Sequence, residues 1–308
     1  MIQDSLQLNI PEDFLNAETR YGTYVSSEMK KIWAVELDLL YVFQRFCRDN
    51  DLKWFLTSGS LIGAIRHKGI IPWDNDIDIM MPRKDFDKLC EIAPDYFQKP
   101  YFFQTPVTEK GNFYRSYAKL CNSETTGCSE REWLQGINGG IFIDIFVLDS
   151  IPENKLILKY YLHKINHITH LARFLSPYKN NYSGIKHKFW LIFWRIKGSI
   201  KGDYIFQKVQ SYCQTLNKLN GNLVAFVTSG YNEKKVWDKE WWENSRLVPF
   251  EFLNVPIPEG YDKILKKQYG DYMTPPNTEE RATHAYLCFS AEIPYYKYFT
   301  KKGEADKN

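Results

Sequence analysis

Between positions 26 and 49 the apolar residues Met29, Trp33, Leu37, Leu40, Phe43 and Cys47 recur at steps of three and four, a stripe that predicts a helix packed on a core. The next run, Lys53-Trp54-Phe55-Leu56-Thr57, predicts a short strand. Ser58-Gly59-Ser60 then supplies a turn and an N-cap for a helix running to about Arg66. After a loop over 67–73, Asp76-Ile77-Asp78-Ile79-Met80 alternates charged and apolar positions, as a strand with one buried face does. A helix over about 83–97 follows, carrying Phe86, Leu89, Cys90, Ala93 and Phe97 on its stripe. Strands are predicted at 101–104, 114–121 and 141–147, the last led in by Gly139-Gly140. From 153 to about 219 the pattern is helical, and a further helix is predicted around 260–269. This interleaving of strands and helices predicts an α/β (α+β) fold, a mixed sheet with flanking helices.

The 308 residues are 44% apolar and 16% aromatic, enough to offset the ordering entropy of the chain, so wholesale disorder is excluded. No repeat or Pro/Gly/Ser linker divides the sequence. It reads as one elaborated catalytic domain over 1–308, with a core at 50–150, a basic helical insertion at 153–220 and a part at 221–308 that completes the site. Six cysteines without a CxxC pair predict reduced thiols. The N-terminus shows no basic, then apolar, signal pattern and no stretch reaches the ~20 apolar residues that cross a bilayer, so a cytoplasmic location is predicted.

Charge changes this picture locally. Residues 154–202 hold ten Lys and Arg and no acid, and taking those ten from the net charge of +3 leaves −7 for the remainder. Within that segment Trp190 and Trp194 stand among lysines. This predicts peripheral contact with an anionic membrane through 186–201, at the inner face; the rival reading is a core helix with basic ends.

The candidate chemistry lies in the acids. Side chains at i and i+2 of a strand share a face, so Asp76 and Asp78 present adjacent carboxylates, with Asp74 just before them. Like charges so close call for a divalent cation, and Mg²⁺ takes one or two carboxylates plus substrate phosphates. Solvent-exposed acids on an edge strand are the alternative. The Gly59-Ser60 turn shifts the balance, because a helix start after a glycine turn offers free N–H groups to a phosphate. Asp144, central in an apolar strand, would complete a two-metal site.

Trp54 to Leu89, WFLTSGSLIGAIRHKGIIPWDNDIDIMMPRKDFDKL, resembles the signature block of the LicD-like phosphocholine transferases, a family related to the fukutin group and to the nucleotidyltransferase superfamily. Gly140 to Asp149 resembles its second block. Tyr269-Gly270-Asp271-Tyr272-Met273 with Pro275-Pro276 and His284 resembles its third. The resemblance implies a nucleotidyltransferase-type core in which Gly59 and Ser60 contact nucleotide phosphates and Asp76, Asp78 and Asp144 hold metal, Mg²⁺ or in its place Mn²⁺. It implies transfer of a phosphorylated small alcohol, such as phosphocholine or an alditol phosphate, from a CDP-linked donor. The acceptor would be a hydroxyl of a cell-surface glycan, such as lipopolysaccharide, or of its lipid-linked precursor.

Arg66, His67 and Lys68 stand between the turn and the acidic strand, where cations could neutralise a diphosphate, or simply form a solvated loop. Arg115 and Lys119 are predicted to share a strand face and to reach phosphates or solvent. His284 is a candidate for substrate binding through the third block, with a structural histidine as the alternative, and Asp271 reads the same way. His163, His167 and His170 have helical metal spacing but no fourth ligand nearby, and Cys121 and Cys128 read as packing groups. Two other functions compete. A nucleotide-sugar glycosyltransferase would use Asp76 and Asp78 as its metal motif. A nucleic-acid module would use the basic segment, but that does not explain acids beside a phosphate turn, so no nucleic-acid partner is predicted.

Overall fold

The computed structural model describes residues 6–175, 201–229, 232–281 and 288–299. Helix α1 (Ser27–Asp49) is started by Ser26, whose hydroxyl accepts from the Met29 N–H at 3.2 Å, and it buries Trp33, Leu37, Leu40 and Phe43 completely. Its stripe packs on a mixed sheet whose central strand is β8 (Ile141–Ile151). On one side of β8 lies β4 (Asp78–Pro82), running parallel, and beyond it the antiparallel β3 (Phe55–Leu56). The other side of β8 takes β6 (Ala118–Asn122) along its first half and β9 (Leu223–Ala225) along its end, both antiparallel. The outer strands are β5 (Tyr101–Gln104) beside β6 and β10 (Val236–Asp238) beside β9, seven in all among the described residues. This mixed α/β sheet with flanking helices agrees with the reading of the sequence.

Several bounds differ for local reasons. β3 is only two residues long, because the Lys53 N–H goes to Asp85 Oδ1 and Thr57 leaves the ladder to start helix α2 (Ser58–Ile62). That helix continues as a wider π turn over Gly63–His67 and stops at Lys68, which adopts a left-handed conformation. The acidic strand starts at Asp78, so Asp76 lies just ahead of it. β6 starts at Ala118, where pairing with Ile145 begins, so Arg115 is outside the strand that holds Lys119. β8 runs on to Ile151 because its last three residues pair with β9.

Helix α3 (Arg83–Tyr96) follows β4 directly, and Arg83 is buried against Asp149 of β8 through two bonds, Nε–Oδ1 at 2.7 Å and Nη2–Oδ2 at 3.0 Å. The long α5 (Lys155–Leu175) and α6 (Gly202–Lys218) pack on each other and on the β8–β9–β10 end through Leu158, Leu162, Ile165, Val209, Cys213 and Leu216. His163, His167 and His170 are exposed on the outer side of α5. The C-terminal part contributes a hairpin (Ser245–Phe250 with Leu253–Pro258), α7 (Tyr261–Tyr269) and a strand at Cys288–Ser290, which pairs with Thr126–Cys128. His284 and residues 186–200, Trp190 and Trp194 included, lie outside the described residues. The six cysteines are free thiols. Among the described residues no helix is long and apolar enough to cross a membrane.

Candidate functional site

The site grows out of the backbone pairing of β4 and β8, which sets Asp78 directly opposite Asp144. Asp78 is locked at three points. Its carbonyl accepts from the Thr57 N–H (3.1 Å), its own N–H donates to Ser60 Oγ (2.8 Å), and the Asp144 N–H bonds the neighbouring Ile77 carbonyl (2.9 Å). Ser60 is buried, and its hydroxyl therefore serves first to register the acidic strand rather than to face a phosphate. The left-handed conformation of the turn falls on Ser58 (φ 51°), while Gly59 is helical. A Cβ at Gly59 would meet Asp74 Oδ2 at 2.8 Å, so a larger residue there would displace the Asp74 carboxyl.

Asp74, Asp76, Asp78 and Asp144 gather at this end of the sheet. Burial raises the Asp74 carboxyl, against the pull of Asp76 and of the Asn75 N–H, which donates to Asp74 Oδ1 at 3.1 Å. Burial, then the charges of Asp76, Asp144 and Asp74, hold the Asp78 carboxyl well above the usual carboxylate range, with Lys235 opposing. Burial also raises Asp144, against the pull of Lys119, whose Nζ lies 3.5 Å from Asp144 Oδ1 and 3.1 Å from the centre of the Phe142 ring. Lys119 is thus buried as the counter-charge of Asp144. Arg115 is exposed and close enough to lower Asp144 electrostatically.

A cation would satisfy this arrangement. Asp144 Oδ1 is buried and, among the described residues, has only the Lys119 ion pair at 3.5 Å, and Asp78 carries a carboxyl that its neighbours discourage from ionising. Among the described residues no three His, Cys, Asp or Glu side chains are drawn round a single point.

Four residues escaped the sequence reading. Glu36 of α1 is 1% exposed, has an unpartnered Oε2, and is driven well above its ordinary range by burial and by Asp76 and Asp74. A glutamate on the buried stripe of α1, one turn after Trp33, was a readable signal, and Trp33 itself donates to the Asp74 carbonyl at 3.2 Å. Lys235 ends the short turn Glu233–Lys235, which packs on α7, and Tyr269 is the last residue of that helix. The Tyr269 hydroxyl accepts from Gln268 Nε2 at 2.9 Å and is pushed up to about 12 by local desolvation and by Asp78. Arg281 approaches Trp73, beside Arg66. Of the other predicted cations, Lys68 is exposed at the end of the π turn. Asp271 caps its own turn, accepting from the Thr274 hydroxyl at 2.7 Å.

A mixed sheet that brings paired acids to the start of a glycine-serine helix defines an α/β protein with an acidic centre at one end of its sheet. Residues 51–180 match the family described as LicD/FKTN/FKRP, nucleotidyltransferase domain. The lipopolysaccharide cholinephosphotransferase LicD of Haemophilus influenzae is 27% identical over 266 residues, 80% of this chain and 92% of that protein. An uncharacterised protein of Rickettsia prowazekii is 33% identical over 146 residues, 46% of this chain and 51% of that protein. A mannosyltransferase regulator of Saccharomyces cerevisiae shares 25% identity over 115 residues, 36% of this chain and 9% of its own length. Residues 51–180 are thus similar to the LicD/FKTN/FKRP domain, and most of the chain is similar to the Haemophilus transferase.

Proposed function

We propose that the chain is a transferase that moves a phosphorylated small alcohol of the phosphocholine type from a CDP-linked donor to a hydroxyl of lipopolysaccharide, a related surface glycan or its lipid-linked precursor. The likeness to the Haemophilus enzyme along most of both chains supports the class of reaction. The observation that carries the site is the register of Asp78 against Asp144, with Asp76 just ahead of the strand. These three acids would hold Mg²⁺, or Mn²⁺ in its place. When bound, the cation would neutralise charge on the phosphoryl group under attack.

The chain's own residues supply the rest. Ser60 and Thr57 fix Asp78, and Gly59 leaves room for Asp74. Arg66 and Lys68 stand where they could offset the donor's diphosphate, and Lys119 limits the charge at Asp144. The acceptor oxygen bonds to the donor's distal phosphorus as the bond to the CMP oxygen breaks. CMP leaves, and the hydroxyl proton passes to a carboxylate of the acidic group. The acid-free stretch 154–202 would bring the protein to an anionic membrane where a lipid-linked acceptor resides. A screen of CDP-choline, CDP-ethanolamine, CDP-ribitol, CDP-glycerol and nucleotide-sugars for nucleotide release tests the reading. CMP release from a CDP-alcohol supports it, and release confined to a nucleotide-sugar overturns it in favour of a glycosyltransferase.

A further inference from the structure

Trp73, the residue before Asp74, is the hub of a second cluster that the acids do not engage. The Arg281 guanidinium carbon lies 4.2 Å from the centre of the Trp73 ring and that of Arg66 5.7 Å. The His67 ring meets Trp73 edge-on at 5.5 Å, and Tyr21 meets His67 at 4.3 Å. Among the described residues, the bonds that hold these guanidiniums go to neutral groups. Arg281 donates to the Tyr21 carbonyl (3.0 Å), Thr23 Oγ1 (2.6 Å) and the Pro276 carbonyl (3.2 Å), and Arg66 to the Tyr272 carbonyl (2.6 Å) and His67 Nε2 (2.8 Å). Among the described residues neither arginine forms an ion pair with a carboxylate, although they lie close enough for Arg281 to depress Arg66 once burial has done so.

His67 adds a third donor. Burial and the charges of Arg66, Arg281 and Arg20 push it down to about 4, so the ring is neutral near neutral pH. Its Nε2 accepts from Arg66, which leaves the proton on Nδ1, and Nδ1 is buried without a partner. Two cations with no carboxylate partner among the described residues and an unsatisfied N–H, gathered round one indole, suit an anion.

We propose that Arg66, Arg281 and the His67 Nδ1–H form an anion subsite for the nucleotide phosphate of the donor, the one that departs with the leaving group. This rests on the CDP-donor reading above. The cluster joins the acidic centre through the Trp73–Asp74 peptide, so an anion held here lies beside the phosphate that reacts at the acids. A donor diphosphate offers two such phosphates side by side.

The test is CMP, inorganic phosphate and phosphocholine binding to the full chain in Mg²⁺, followed by calorimetry. Arg281→Gln is expected to weaken CMP and inorganic phosphate by about tenfold and to leave phosphocholine unchanged. His67→Phe keeps the ring contacts but removes the donor, and is expected to weaken CMP several-fold even where Arg281→Gln proves unstable. Normal CMP affinity in both folded variants would overturn the subsite. So would a loss confined to phosphocholine, which would place the transferred group here. A wild-type protein that binds no CMP, yet releases nucleotide from a nucleotide-sugar, would overturn the donor reading itself.

Discussion

Asp78 of β4 and Asp144 of β8 face each other across a parallel pair of strands, so the central sheet itself holds a half-buried and a buried carboxyl side by side. Burial and mutual repulsion raise both. Removing one charge should relieve that repulsion while removing a cation ligand. Asp78→Asn is therefore expected to abolish turnover and, without divalent cation at pH 7, to leave the thermal midpoint unchanged or higher. Thermal unfolding beside a nucleotide-release assay checks this. Asp144→Asn should lose turnover likewise, although Lys119 is then left without its carboxylate, so a small loss of stability is expected there.

Gly59 separates space from backbone strain. Its φ is not left-handed, so alanine costs nothing in the backbone and gains roughly 0.5–1 kcal/mol of helix preference, but its Cβ would strike Asp74 Oδ2. Gly59→Ala should fold with near-normal stability and lose roughly 10- to 100-fold in turnover as the Asp74 carboxyl is displaced. A melting curve and kcat on the same sample check it.

Arg83 offers the opposite case, a buried charge far from the chemistry. Its guanidinium bonds both oxygens of Asp149, which is itself fully buried. Arg83→Met should cost about 3–5 kcal/mol by leaving Asp149 uncompensated. Urea unfolding checks this, and the folded fraction should retain turnover per molecule.

His67 gives a pH dependence with a definite sign. Its folded value is lowered from 6.5 to about 4, so the unfolded chain takes up the proton first as pH falls. Its contribution is present above pH 6.5 and is lost progressively down to about 4. Over that window wild-type stability should fall more steeply than that of His67→Phe, as read by unfolding at several pH values.

The acids were legible because alternation on one strand and an isolated aspartate in an apolar run are local patterns. The roles of their supports were not. Ser60 reads as a phosphate contact, yet its Oγ accepts the Asp78 N–H, a bond set by where β4 docks. Gly59 reads as the turn, yet Ser58 adopts the left-handed conformation and Gly59 makes room for Asp74. Lys235 and Arg281 reach the site from turns with no periodic signal of their own, and Tyr269 from the end of a helix whose pattern does not say what its last residue meets. Only tertiary packing of the 233–235 turn, α7 and the segment after Pro276 brings them there. Long helices such as α1 were readable because their stripes are long. Strands of two or three residues, such as β9 and β10, depend on a partner strand that the sequence does not name.

The most direct test of the central claim is CMP release from CDP-choline in the presence of a glycan acceptor, measured as Mg²⁺ is titrated, for the wild-type protein and for folded Asp78→Asn. The account predicts release that rises from near zero with Mg²⁺ in the wild type and stays at least ~100-fold lower in the variant at saturating Mg²⁺. Release that is undiminished in chelator, or equal in the variant, would contradict it.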